Sequence, residues 1–229
     1  MEIIYFLILI ILAIIFFKII FKINIKKMKE KKENKELEEI TDKFPQNVEV
    51  AKTMLEMLDN NSVKIEEAKD TETSLYIAVT NKISIADMKK NYARIQTIAH
   101  ECIHSCQDRR LLLFNFIFSN INIIYFIIIS ILTILKVISN QNLQIEILML
   151  FTLIEFSVRS FLEIDAMTKA KYLAKEYMEK IKLCTEEEKN KLLKEYGNIN
   201  KIGIPFVIDN LLTTALVRVL IYCIISIIW

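Results

Sequence analysis

The chain is poor in the residues that punctuate folds. Its 229 residues include two glycines, two prolines, one tryptophan and two histidines. No internal repeat and no low-complexity linker divides it. The four cysteines contain no C-x-x-C pair, which argues against a disulfide framework and fits a reducing compartment. Charge of one sign is also missing: 30 Lys and Arg stand against 28 Asp and Glu, a net +2. That balance gives no sign of nucleic-acid binding, and the lysines read better as topology and membrane-surface contacts.

Apolar residues are what the chain has in excess: 53% of the sequence, with mean hydropathy +0.34. Four runs carry it. Residues 3–23 are broken only by Lys18 and Lys22, and residues 111–135 are free of charge. Residues 143–162 carry Glu146, Glu155 and Arg159, and residues 204–229 carry Asp209 and Arg218. About 20 apolar residues cross a bilayer core of about 30 Å, so all four are read as spans, the last two less strongly because buried hydrophobic helices look the same. The first run has no basic stretch before it and no small-residue cleavage site after it, so it reads as an anchor rather than a cleaved signal. Lysines instead follow it, arginines 109 and 110 precede the second run, and lysines follow the third. By the positive-inside rule both charged segments face the cytosol and both termini lie outside. Counting depth at about 1.5 Å per residue pairs Arg159 with Asp209 and Glu146 with Arg218 as inter-helix ion pairs.

Both histidines sit in one short stretch, Thr97-Ile98-Ala99-His100-Glu101-Cys102-Ile103-His104. On a helix, positions i and i+4 share a face. Two imidazoles so placed reach one zinc ion at about 2.0–2.1 Å. Glu101 beside them is placed to take a proton from a water that the metal activates.

The approach to this motif reads as helix, strands, helix. Residues 26–39 form a charged helix or tether ended by Pro45. Residues 47–59 show helical spacing, with Val48, Ala51, Leu55 and Leu58 apolar. Asn60-Asn61 is a turn. Residues 62–68 alternate, and residues 74–80 are rich in β-formers. Ser84 and Asp87 resemble a capping box, which predicts one helix from there to about Asp108. In zincin-type metallopeptidases a strand near the zinc helix pairs with an extended substrate; 63–67 and 75–80 are the candidates.

A catalytic zinc takes three protein ligands and leaves one position open. No third histidine exists, so a carboxylate or thiolate must serve. If the second and third runs form a hairpin, Glu163 returns to the membrane face where the zinc helix enters, which makes it the candidate third ligand. Asp165, two residues on, faces roughly the other side of a helix and is assigned a supporting role. Cys102 and Cys106 are lesser alternatives.

The ordered set S-I-A-D, I-A-H-E-C-I-H-S-C-Q, a hydrophobic hairpin and L-E-I-D-A resembles the neutral zinc metallopeptidases of bacterial membranes, the YugP-like family. The resemblance covers roughly residues 55–174. It implies a zinc peptidase with His100, His104 and Glu163 as ligands and Glu101 as base. The family usually has glycine where this chain has Ile103, and a small residue where it has Met167. The plan is also similar to HtpX-type membrane metallopeptidases, whose carboxylate motif is E-x-x-A-D where this chain has E-I-D-A-M. Intramembrane site-2 proteases fit poorly, because the motif helix here carries Lys89, Lys90 and Arg94.

The expected fold is thus a mainly α membrane protein with about four transmembrane helices and a small α+β zincin-like domain facing the cytosol. Its parts are an anchor (1–23), a subdomain with the motif helix (24–110), a membrane hairpin (111–162), a third-ligand helix with an amphipathic segment (163–203) and a final span (204–229). The expected function is a membrane-anchored zinc endopeptidase, a hydrolase with one Zn2+ per chain. Glu101 would accept a proton from water and pass it to the leaving amine. Tyr92, Arg94, Arg159 and Tyr172 are candidates to stabilise the oxyanion, and the sequence does not choose among them. The expected partners are the lipid bilayer and a peptide or membrane-protein substrate, with no nucleic acid, at a multi-pass site in the cell membrane. A narrow, self-directed regulatory protease, an HtpX-like quality-control protease and a non-catalytic scaffold are the alternatives.

Overall fold

The computed structural model describes residues 2–20, 34–68, 71, 73–88 and 91–229. The lysine-rich stretch after the first run, and Lys89 and Lys90, lie outside the described residues. Among the described residues, seven helices and three strands follow in order: α1 (Glu2–Ile20), α2 (Lys35–Asp42), α3 (Asn47–Met57), β1 (Lys64–Ala68), β2 (Leu75–Ile77), β3 (Lys82–Ala86), α4 (Arg94–Cys106), α5 (Arg109–Ile134), α6 (Gln141–Ile181) and α7 (Glu186–Ile228). The chain divides into two compact units.

The first unit comprises Met1–Ile23, Phe114–Phe161 and Pro205–Trp229. Among the described residues, three helices are long and apolar enough to cross a membrane: α1, α5 and α7. The third apolar run lies within α6, which is not among them; Glu146, Glu155 and Arg159 interrupt it. Ile145 and Leu148 of that run are fully buried, in a core with Ile10, Ile129, Val219, Tyr222 and Cys223.

One of the ion pairs expected in this unit is re-partnered. Arg218 forks onto both oxygens of Glu155, at 2.7 and 2.9 Å, and Asn122 donates to Glu155 Oε2 at 2.6 Å. Glu146 therefore does not hold Arg218, and Arg159 is exposed while Asp209 is buried. Counting depth from helix ends assumes a common starting plane. What decided the pairing was a buried carboxylate that could receive a two-pronged guanidinium and an amide together.

The second unit comprises Asn24–Leu113 and Leu162–Ile204. Asn34 caps α2 by accepting from Leu37 N at 3.2 Å. The sheet order is β1-β3-β2, with β1 parallel and β2 antiparallel to β3. The central strand, Lys82–Ala86, corrects the reading of Ser84 as the start of the motif helix. Ser84 lies opposite Leu75 and Glu66 in the sheet rather than capping a helix. Ile83 and Ile85 alternate with it and are buried, the period-2 pattern of a half-buried strand. The motif helix begins only at Arg94.

Helix α4 buries Ile95, Ile98, Ala99, Cys102 and Ile103, an i, i+3, i+4 stripe that anchors it in the core. Its other face carries Gln96, His100 and His104, followed by Gln107 at the C-cap. Helix α6 contributes Ala166, Ala170, Leu173, Ala174 and Tyr177 to the same core. Asn60 Nδ2 donates to Ser105 O at 3.0 Å and so closes the C-terminal end of α4.

Candidate metal centre

Rigid packing of α4 and α6 in one core fixes the side chains that face each other across them. His100 Nε2 and His104 Nε2 are 3.0 Å apart. Glu163 Oε2 lies 3.5 Å from the first and 3.7 Å from the second. These three side chains form the group of potential metal donors among the described residues. The structure therefore brings together His100, His104 and Glu163. Asp165 lies outside the group: it turns to Lys169, with Oδ1 at 2.6 Å from Nζ, and to Gln107.

The triangle can be tested against zinc. Tetrahedral zinc with bonds of about 2.0–2.1 Å separates its ligand atoms by about 3.3–3.4 Å. The observed sides bracket that value. A triangle of these sides has a circumradius of about 2.0 Å, so one point near its plane stands at bonding distance from all three atoms. Two imidazoles and a carboxylate are also the donor chemistry that zinc takes. The residues present fit the ion.

Charge reinforces the geometry. Burial opposes the charged form of His104, but the Glu163 carboxylate beside it outweighs burial and raises its pKa. For Glu163, burial works upward, and the two histidines overcome it to hold the carboxyl far below the usual range. The pocket is one where a carboxylate and a positive charge stabilise each other.

Glu101 lies on the flank of the triangle and is 6% exposed. Its Oε2 accepts the Tyr76 backbone N–H at 2.6 Å. Burial raises its pKa, against the pull of His100, His104 and that amide. Strand β2 is thereby fastened to the carboxylate between the two histidines. Tyr76 also donates its phenol to Asn81 Oδ1 at 2.9 Å.

Of the four residues considered for the oxyanion, Arg94 has another task. It is fully buried and donates to the carbonyls of Thr41, Phe44 and Pro45 and to Asn47 Oδ1, at 2.6 to 2.9 Å. Tyr92 is buried, and its carbonyl accepts from Tyr196 Oη at 3.1 Å. Tyr172 is exposed. Arg159 belongs to the other unit.

Sequence reasoning gave no role to Gln107. Its Oε1 stands 2.8 Å from His104 Nδ1, and its Nε2 donates to Leu162 O at 2.8 Å and Asp165 Oδ2 at 3.0 Å. The available signal was its position three residues after His104, on the same face. Comparisons with family models, curated proteins and solved structures give no match to the chain.

Proposed function

We propose that the chain is a membrane-anchored, zinc-dependent endopeptidase with His100, His104 and Glu163 as metal ligands and Glu101 as general base. The observation that carries this reading is the convergence of three donor atoms from α4 and α6 on one zinc-sized point, with a buried carboxylate on the residue after the first histidine. Zinc, when held there, supplies Lewis acidity that acidifies water and polarises the scissile carbonyl. The remaining steps fall to the chain. Glu163 balances positive charge between the imidazoles. Glu101 takes a proton from water on one carboxylate oxygen and delivers it to the leaving amine. The Tyr76 amide holds the other oxygen at 2.6 Å and so aims the first. Strand β2 lies at the edge of the sheet beside this carboxylate. An extended peptide laid along that edge passes Glu101, which supports the zincin-like, β-augmentation reading.

The membrane part of the reading is four crossings with both charged segments in the cytosol, and therefore a cytosol-facing site. Three apolar helices support it, as do Leu143, Leu150, Leu153 and Phe161 of α6, which point their side chains outward. The resemblance to YugP-like metallopeptidases, with HtpX-type enzymes second, rests on the quoted motifs. The buried, hydrogen-bonded Glu101 weighs against a scaffold that has dispensed with chemistry. Glu101→Gln tests the proposal: it should keep the metal and lose peptidase activity by about 10²–10⁴-fold. Near-normal turnover in that variant would place the chemistry elsewhere.

A further inference from the structure

We infer that Gln107 is a positioning residue: it fixes the proton of His104 on Nδ1 and sets the register of α6 against α4, so that Glu163 meets the two histidines. This rests on the metal reading above and adds to it the group that makes the site converge. A side-chain amide has one accepting oxygen and one donating nitrogen. Leu162 O can only accept, and the Asp165 carboxylate, in contact with Lys169, is an acceptor as well. Both are met by the same end of Gln107, which must therefore be the nitrogen. The amide orientation thus follows from its partners rather than from choice. Its oxygen then faces His104 Nδ1 at 2.8 Å and can only accept. The imidazole proton consequently sits on Nδ1, and the Nε2 lone pair points to where His100 Nε2 and Glu163 Oε2 converge.

The same side chain reads the register of the other helix. Leu162 and Asp165 flank Glu163 on α6, and Gln107 holds both. A slip of one residue along α6 rotates it by about 100° and moves it about 1.5 Å, which breaks both bonds and removes Glu163 from the imidazoles. Gln107 is the C-cap of α4, at the end of the element that carries the histidines. One amide therefore links the tautomer of one ligand to the placement of another, as outer partners of metal-binding histidines do.

The test is cobalt(II) affinity of the full-length protein in detergent, read by d–d absorption with a competing chelator. Gln107→Ala should weaken cobalt binding by about 10–100-fold. Gln107→Glu keeps an acceptor for His104 but sets a carboxylate against Asp165, and should weaken binding to a similar degree. Adding Asp165→Asn to Gln107→Glu restores a donor–acceptor pair with reversed polarity at that arm, leaves Leu162 O without its donor, and should recover part of the loss, about threefold or more over Gln107→Glu alone. A cap with only a structural role gives no such recovery. Wild-type affinity in Gln107→Ala, or a double variant no better than Gln107→Glu alone, overturns this inference while leaving the metal site standing. A wild-type protein that takes up no cobalt overturns the metal reading and this one with it.

Discussion

Replacing Arg94 with methionine should damage stability and spare chemistry. The guanidinium is fully buried and bonds the carbonyls of Thr41, Phe44 and Pro45 and the side chain of Asn47, all within 2.9 Å. It thus ties the end of α2, the connector and the start of α3 to the first turn of α4. Hydrogen bonds to a charged donor contribute about 1.5–3 kcal/mol each, but their losses are not additive. The orphaned carbonyls regain water as the connector opens, so the net cost should be about 3–5 kcal/mol, as for other broken buried charge contacts. With an m-value of about 2 kcal/mol/M, the urea midpoint of the second unit falls by about 1.5–2.5 M. Pulse proteolysis in urea of the detergent-solubilised protein measures this. The folded fraction should retain wild-type metal affinity and turnover per metal-loaded molecule. An unchanged midpoint combined with a large loss of turnover would refute the reasoning and return Arg94 to the oxyanion.

Glu163→Ala should strip the metal in equilibrium dialysis, while Asp165→Asn keeps it; Glu163→Asp, which retracts the carboxylate by about 1.5 Å, should fall between. The reverse order would move the ligand to Asp165. Arg218→Met should lower the thermal midpoint of the first unit in detergent by leaving Glu155 buried without its partner, and adding Glu155→Leu should restore most of it. A double variant as unstable as the single would show that the pair is not coupled. Cysteines introduced at Asn60 and Glu187 should be labelled only from the cytosol, and one at Asn140 only from outside. External labelling at Asn60 would invert the orientation.

How much could be read ahead of the structure depended on whether the partner was a residue type or a backbone atom. The histidine pair was legible because helical spacing alone puts positions 100 and 104 on one face. Glu163 followed from the expectation of a hairpin that returns the chain to its starting level, and the structure brings it to 3.5 and 3.7 Å from the imidazoles. Arg94 was not legible, since three of its four acceptors are carbonyls that any sequence supplies. Gln107 stood at the end of the quoted motif, but its role was hidden for the same reason, with Leu162 O as one partner. Strand β3 was obscured by a local signal of the wrong kind: Ser84 and Asp87 imitate a capping box, while Ile83 and Ile85 carry the alternation that sheet pairing used. Tertiary pairing with both neighbours outweighed the local preference.

The central claim is a zinc site built from two helices, and elemental analysis of the purified, detergent-solubilised protein tests it most directly. Wild type should carry about one zinc per chain after removal of loosely bound metal, and the His100→Ala/His104→Ala double variant should carry almost none. Stoichiometric zinc in the double variant, or a wild-type protein that cannot be loaded, would contradict the account.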